Sequence, residues 1–208
     1  HLRDAFARRA DIHRETAARV LKKPPEEITA DERSMAKMVN FGLAYGMSDF
    51  GLSSRAGISR QEAQAFISGY FGAYGGIATY MVEIRERARS QGYVQTLLGR
   101  RRRIPELSAS NGALRAAGER MAINMPIQGT AADILKRAMI DVDAALKASH
   151  PKAKMILTVH DELLFEAPKE EADQAAQLVR EKMESAVALN VPLTVDVGVG
   201  ENWKEAKS

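Results

Sequence analysis

Hydrophobic residues recur every three to four positions along most of the chain, which is the period of one face of an α-helix. The segments Thr29–Glu32 and Ser59–Glu62 match capping boxes, which mark helix N-termini. Pro126 is expected to bend or break the helical region in which it lies. Helices are predicted over residues 11–21, from near Ala30 to Gly46, after Ser59, from Gly76 to Gly92, from Asn111 to about Asn124, from Thr130 to about Lys147 and from Lys169 to about Leu189.

Other segments have the patterns of strands and turns. Residues 93–104 predict a small hairpin or an irregular loop. The apolar runs Met155–Val159 and Leu163–Phe165 predict a strand, a turn and a second strand. Residues 193–199 alternate apolar and polar side chains, which is the period of a half-buried strand. The predicted fold class is therefore α+β, with a helical first part and a small antiparallel sheet backed by helices in the second.

The composition is that of a globular protein with a mildly basic surface. The 208 residues are 45% hydrophobic and 27% charged, with a formal net charge of +3 and a pI near 9.2. This balance permits nucleic-acid binding, and the run Arg100–Arg103 could either grip phosphates or form a solvated charged surface. The chain has no cysteine, which is compatible with a reducing cytoplasm, and no apolar run approaches the length of a membrane span.

One predicted helix places two cations and two aromatic residues at intervals of four: Arg33, Lys37, Phe41 and Tyr45. This spacing produces a slowly spiralling stripe along the helix. Cations suit a polyphosphate and aromatic rings suit a base, so the stripe matches a nucleoside triphosphate. The alternatives are a solvated basic face and a pair of core aromatics. Gly42 and Gly46 follow the aromatics and indicate that another group, for example a base pair, approaches the helix closely.

Two further sets of residues are candidates for chemistry or binding. Asp161 and Glu162 place adjacent carboxylates where a strand is predicted to reverse, and carboxylates that share Mg²⁺ with substrate phosphates are common in nucleotide chemistry. An ordinary Asp turn is the alternative. Arg120, Asn124 and Gln128 recur every four residues and could line one groove-facing surface or form an exposed polar helix face.

Together these segments resemble the family A DNA polymerases, the bacterial DNA polymerase I family. The stripe is similar to the nucleotide-binding helix of the fingers, and His160-Asp161-Glu162 is similar to the last catalytic motif. The likeness continues, in order and spacing, through residues 11–18, 110–113, 127–133 and 200–203. The resemblance implies a fingers subdomain over residues 1–110, with the nucleotide-binding helix at about 30–45, and the C-terminal part of a palm over residues 111–208.

The resemblance implies a role for each candidate residue. Arg33 and Lys37 would bind the phosphates of an incoming dNTP, and Lys37 would also protonate the pyrophosphate leaving group. Phe41 would stack on that nucleotide, and Tyr45 would lie where the template base is tested. His160 would contact the primer terminus, Asp161 would bind both of two Mg²⁺ ions, and Glu162 would support it. DNA contacts are implied at the minor-groove edge of the new pair and at the template backbone, by Arg120, Asn124, Gln128 and Arg115.

The resemblance also implies template-directed DNA synthesis, in which a primer 3′-hydroxyl attacks the α-phosphate of a dNTP. The expected partners are primer–template DNA and dNTP, with no membrane and no obligate protein partner, in the bacterial cytoplasm at the nucleoid. Phe41, rather than Tyr, implies poor acceptance of nucleotides that lack the 3′-hydroxyl.

One expected element is missing, because the strand with the family's first metal-binding Asp would precede His1. The chain is therefore expected to be a fragment with little activity alone. Two alternatives remain, and they are a non-catalytic nucleic-acid-binding module and a relative of single-subunit RNA polymerases, which typically carry Met at the Phe41 position.

Overall fold

The computed structural model describes residues 2–207 and, among these, every side chain except that of Ala44. The α-helices are α1 (Leu2–Ala7), α2 (Ile12–Leu21), α3 (Ala30–Ala44), α4 (Asp49–Ala56), α5 (Arg60–Ala73), α6 (Gly75–Gln91), α7 (Gly112–Ser149), α8 (Ala172–Glu184) and α9 (Trp203–Ala206). Two antiparallel hairpins complete the fold, formed by β1 (Tyr93–Gln95) with β2 (Arg101–Arg103) and by β3 (Lys154–Val159) with β4 (Glu162–Glu166). The predicted α+β class is confirmed, with helices dominating.

Helix α3 begins and ends where the sequence predicts. The Thr29 hydroxyl accepts a hydrogen bond from the Glu32 amide at 3.2 Å, and the Glu32 carboxylate accepts one from the Thr29 amide at 2.9 Å. This capping box satisfies two of the amides that a helix N-terminus leaves unpaired. At the other end Tyr45 is the C-cap, and Gly46 follows with a φ of 70°.

Pro126 was expected to bend or break its helix, and it does not break it, because the 38-residue helix α7 continues through it. A proline inside a helix removes one hydrogen bond and costs about 3 kcal/mol. The neighbouring side chains of Ile123 and Met125 are buried in the core, and burial of each such side chain contributes about 1.5–3 kcal/mol. Packing of the surrounding turns therefore outweighs the local penalty.

The structure also differs from the predicted elements elsewhere. Helices α1, α4 and α9 were not predicted, and α8 ends at Glu184 instead of near Leu189. Residues 193–199 keep an alternation of half-buried and exposed positions but join neither sheet, so the predicted strand is wrong. The alternation indicates an extended, half-buried chain. A β-strand also needs backbone hydrogen bonds to an adjacent strand, and this segment has none in either sheet. Here the Val195 amide donates instead to the Glu184 side chain at 3.0 Å.

Packing divides the chain into two compact units, His1–Thr130 and Ala131–Ser208. The core of the first unit is built from α3 to α7 and β1, with Val39, Leu52, Val94, Ile104 and Ile123 almost fully buried. The core of the second unit joins α7 and α8 through Val142, Leu146, Ala153, Ala175 and Val179, and Met155 of β3 packs against it. The division into fingers and palm after residue 110 stays a prediction, since packing alone does not identify these subdomains.

Candidate nucleotide pocket and carboxylate turn

Three of the four residues of the predicted stripe line one open pocket in the first unit. The pocket has a volume of about 590 Å³, and its lining includes Lys37, Phe41, Tyr45 and Arg120. Phe41 and Tyr45 are 53% and 49% exposed. Core aromatics would be buried, so these rings are instead available to stack on a ligand. The alternative that the two aromatics belong to the core is therefore wrong.

A buried polar network fixes the inner side of α3. The hydroxyl of Thr16, which is fully buried, donates to the Ile12 carbonyl and lies 3.2 Å from the hydroxyl of Tyr74. The amide of Asn40 on α3 donates to the Thr16 hydroxyl at 3.1 Å. Buried polar groups that are satisfied in this way specify one arrangement of the helices that carry them. The network therefore sets the rotation of α3 and the direction in which its stripe faces.

His13 is a candidate that the sequence-based assignment of roles missed. Its ring lies 5.6 Å from the ring of Phe41, and its Nδ1 accepts from the Asn40 side chain at 3.1 Å. Because the Asn40 Nδ2 group can only donate, the proton of the neutral imidazole lies on Nε2. Burial lowers the pKa of His13, and the charges of Arg33 and Lys37 lower it further. His13 lies in the segment that carries the family resemblance, but no spacing in the sequence ties it to α3.

Arg33 lies on α3 but does not line the pocket. Its Nε donates to the carboxylate of Asp11 at 2.6 Å. Asp11 is also the N-cap of α2, where it accepts from the amides of His13 and Arg14. Burial opposes ionisation of Asp11, but the hydrogen bonds from Arg33 and from the Arg14 amide outweigh it and lower the pKa of that carboxyl. Asp11 thus links the start of α2 to the first cation of the stripe.

The C-terminal end of α3 is held by two side chains of α7. The Gln128 side chain donates to the Tyr45 hydroxyl at 2.7 Å. Gly46 has a φ of 70°, and a Cβ added there would lie 2.7 Å from Cγ and 3.3 Å from Cα of Arg120. Gly46 is therefore required both by the turn and by the close approach of α7. At Gly42 the group that approaches is Met47, whose Cε would lie 2.0 Å from an added Cβ, so side chains of the chain itself account for both close approaches.

The remaining residues of the predicted DNA surface lie along α7. Asn124 is half-buried, one helical turn from both Arg120 and Gln128. Arg115, near the start of α7, donates to the carbonyls of Ala109 and Ser110 at 3.0 and 2.8 Å. Arg120 and Gln128 thus meet the end of α3, while Arg115 holds the loop that precedes α7.

The second unit places Asp161 at the tip of a tight hairpin. Val159 pairs with Glu162, so only His160 and Asp161 form the turn, and both are exposed. His160 has a φ of 55°, a left-handed conformation that costs a non-glycine residue about 1–2 kcal/mol. Glu162 forms an ion pair with Lys207 at 2.7 Å. The predicted strand, turn and strand are confirmed, and the carboxylate of Asp161 faces solvent beside a neutralised neighbour.

Within residues 2–207, no cluster of three His, Cys, Asp or Glu side chains could hold a metal ion. Mg²⁺ is commonly bound through one or two carboxylates together with substrate phosphates, rather than by a cage of protein ligands. An exposed carboxylate on a fixed turn suits that type of binding, so Asp161 fits as one ligand of a shared ion. No helix in the same residues is long and apolar enough to cross a membrane.

Comparisons with known proteins find relatives that are similar over nearly the whole chain. The chain is 51% identical over 205 residues to DNA polymerase I of Pseudomonas aeruginosa, covering 99% of this chain and 22% of that protein. It is 50% identical over 207 residues to DNA polymerase I of Bacillus subtilis, covering 100% of this chain and 24% of that protein. The chain thus spans about a quarter of the length of these curated relatives.

A solved structure is similar over the whole chain. It is described as the POL domain of Pol1 from M. smegmatis in complex with DNA primer-template and dNTP. The two share 45% sequence identity with a TM-score of 0.94, over 100% of this chain and 36% of that one. The family model for DNA polymerase family A matches residues 1–205. By sequence and by fold, this chain belongs to DNA polymerase family A.

Proposed function

We propose that this chain supplies the nucleotide pocket and one catalytic carboxylate of a template-directed DNA polymerase. The reaction joins a dNTP to a primer 3′-hydroxyl and releases pyrophosphate. The observation that carries the proposal is the pocket beside α3, where Lys37 lies about one helical turn from Phe41 and two turns from Tyr45, and both rings are half-exposed. The similar M. smegmatis domain, described as a complex with primer-template DNA and dNTP, supports the same assignment.

In this proposal the stripe on α3 binds the incoming nucleotide from its phosphates to its base. Lys37 lies in the pocket and neutralises the triphosphate, and its ammonium group donates a proton to the departing pyrophosphate. Arg33 contacts the outer phosphates with the part of its guanidinium that Asp11 does not hold. Phe41 stacks on the nucleotide, and Tyr45 lies where the template base is tested.

Asp161 is the residue of this chain that would hold Mg²⁺, and it would share both ions of the expected two-ion arrangement. When bound, Mg²⁺ stabilises the charge that develops on the phosphate oxygens. The tight turn exposes the side chains of both Asp161 and His160, and in this proposal the His160 ring would contact the primer terminus. Glu162 supports the turn through its ion pair with Lys207.

The polar residues along α7 are proposed to contact DNA. Arg120, Asn124 and Gln128 would meet the minor-groove edge of the new base pair, where N3 and O2 acceptors lie on every correct pair. Arg120 contacts Gly46 and Gln128 donates to the Tyr45 hydroxyl at the end of α3. A base pair that contacts Arg120 and Gln128 would therefore be coupled to the nucleotide pocket. Arg115 would contact the template backbone.

The proposal is tested by a chimera in which residues 1–208 replace the matching segment of the P. aeruginosa polymerase, which is 51% identical. Primer extension is measured with Mg²⁺ and dNTPs for the chimera and for its Asp161→Asn variant. Removing one group that stabilises transition-state charge lowers rates by about 10²–10³-fold, and we expect a loss of at least that size. Asp196→Asn is the matched control, because Asp196 is an exposed Asp of the same unit outside the turn.

The outcomes separate the candidate functions. A chimera that binds primer–template but extends it equally well with Asp161→Asn would reject the catalytic role of that carboxylate. A chimera that binds DNA but never extends it would favour the non-catalytic binding module. Preference for rNTPs over dNTPs would favour the relationship to single-subunit RNA polymerases, which Phe41 argues against.

A further inference from the structure

The hairpin formed by β1, the turn after it and β2 is a basic surface, and we call residues Tyr93–Arg103 the basic hairpin. All three residues of β2, Arg101–Arg103, are exposed. Within residues 2–207, none of these three arginines pairs with a carboxylate, whereas Arg85 and Arg89 on α6 both pair with Glu119. An uncompensated cluster of like charge repels itself and is characteristic of surfaces that meet an anion.

The two faces of the basic hairpin differ. Val94 is buried, and its cross-strand partner Arg102 lies against the sulfur of Met121 at 3.7 Å. Side chains alternate along a strand, so Arg101 and Arg103 point to the opposite, solvent-facing side. On that side the Arg101 guanidinium lies 4.8 Å from the centroid of the Tyr93 ring. This contact holds the guanidinium extended over the ring while its N–H groups stay available at the ring edge.

The basic hairpin is fixed to α7 at its tip. The Leu97 amide donates to the Thr130 hydroxyl at 3.0 Å, and a Cβ added at Gly129 would lie 2.7 Å from Thr96. Glycine at position 129 thus permits the close approach of the two elements. Leu97 and Leu98 at the tip are 75% and 52% exposed although their backbone is anchored. The hairpin therefore presents its cations and its apolar tip from a rigid support.

The position at which the basic hairpin contacts α7 indicates duplex DNA as its partner. Met121 lies about 60° around the helix from Asn124, because each residue advances by about 100°. The hairpin therefore borders the face of α7 with Arg120, Asn124 and Gln128, which the proposed function assigns to the minor groove. A phosphate backbone runs along both sides of that groove, at one charge per about 1.7 Å of duplex.

From these observations we propose that the outer face of the basic hairpin is a second DNA-contact surface, in which Arg101 and Arg103 bind phosphates of the primer–template duplex. This inference rests on the proposed function for its partner. The exposed leucines of the tip lie against the sugars that adjoin those phosphates. The contact is independent of sequence, because it reads no base edge.

The test measures duplex binding by the 208-residue chain at several salt concentrations. Each phosphate contact contributes about 0.9 to the slope of log K against log salt for B-DNA. Arg101→Gln with Arg103→Gln is therefore expected to make the slope less steep by about 1.8 and to weaken binding at every sequence tested. The control is Lys152→Gln with Arg180→Gln, which removes the same charge from exposed residues of the other unit.

A slope that changes equally in the double variant and in the control would overturn the inference, because the effect would then depend on net charge and not on the hairpin. The contact of the apolar tip, Leu97 and Leu98, is tested by a separate measurement. A photo-crosslinking amino acid in place of Leu98 is expected to link to duplex DNA, and absence of any DNA adduct would remove the tip from the contact surface.

The outcome is separable from that of the proposed function, because binding slopes do not depend on catalysis. An unchanged slope together with loss of extension in Asp161→Asn rejects only the hairpin. A less steep salt slope in the double variant, together with unchanged primer extension in Asp161→Asn, rejects only the proposed chemistry. A chain that binds no duplex at any salt overturns the hairpin inference and leaves the proposed function to the extension assay, which uses the chimera.

Discussion

The nucleotide pocket and the carboxylate turn are built in opposite ways. The pocket joins residues far apart in the chain, since Tyr45 on α3 receives a hydrogen bond from Gln128 on α7, and Arg120 on α7 lines the same pocket. The turn is local, because two residues between paired strands position Asp161. A site assembled from distant elements can be disturbed at many supporting positions, whereas a local turn depends on its own few residues.

The largest effect at the pocket is expected from removing the positive charge of Lys37. In the chimera, Lys37→Gln should lower kcat/KM for dNTPs by about 10- to 100-fold, because a hydrogen bond to a charged group is worth about 1.5–3 kcal/mol. Steady-state primer extension measures the change. Lys136→Gln, at an exposed lysine of α7, is the matched control. Equal effects of the two substitutions would show that Lys37 acts only through net charge.

The next effect compares two glycines that have the same backbone conformation. Gly46 and Gly57 have φ values of 70° and 66°, but an added Cβ meets Arg120 at Gly46 and nothing within 4 Å at Gly57. Gly57→Ala should cost about 1 kcal/mol of unfolding free energy through backbone strain alone. Gly46→Ala should cost about 1–3 kcal/mol more, through overpacking against α7. Urea denaturation checks both, and equal costs would show that α7 yields freely.

A smaller effect is expected where Asp11 holds Arg33. Asp11→Asn keeps the N-cap of α2, because Asn caps as well as Asp, but removes the charge. We expect a KM for dNTP raised by about two- to fivefold with kcat unchanged, since an exposed ion pair is worth about 0.2–1 kcal/mol. Asp31→Asn, an exposed charge in the first turn of α3, is the control. A lower KM in Asp11→Asn would mean that Asp11 competes with the nucleotide for Arg33.

The smallest effect concerns the pH dependence of stability. The pKa of His13 is lowered in the folded chain, so below the ordinary value of 6.5 the unfolded chain binds this proton more readily. Stability from this group is thus complete above about pH 6.5 and falls as pH decreases toward the lowered pKa. His13→Gln should flatten this part of the profile, measured by urea midpoints at pH 7.5 and 5.5. An unchanged slope would assign it to other groups.

Much of the local structure could be predicted from the sequence, because the signals lie within a few residues of the elements that they specify. The capping boxes at Thr29 and Ser59 begin helices in the structure. The glycine at position 92 ends α6 in the left-handed conformation, and the apolar runs around Asp161 form the paired strands β3 and β4. Each of these features depends on hydrogen bonds or on a period that a short segment contains.

The errors occur where distant parts of the chain decide the outcome. Pro126 was expected to bend or break its helix, but core packing of its neighbours keeps α7 unbroken. Residues 193–199 have the pattern of a strand but pair with no strand of the described chain. The role of His13 was missed for the same reason, because its contacts with Asn40 and Phe41 cross 27 and 28 positions of sequence.

The sequence by itself determined the family of this chain, the stripe on α3 and the turn that exposes Asp161. Motif order, helical period and turn chemistry can be read directly from the sequence. Only the tertiary structure decided which side chains surround the stripe. Asp11 accepts a hydrogen bond from Arg33, Gln128 donates one to Tyr45, and Arg120 packs against Gly46. The reason is that these contacts depend on how α2, α3 and α7 pack, and packing is set by the whole core rather than by any one segment.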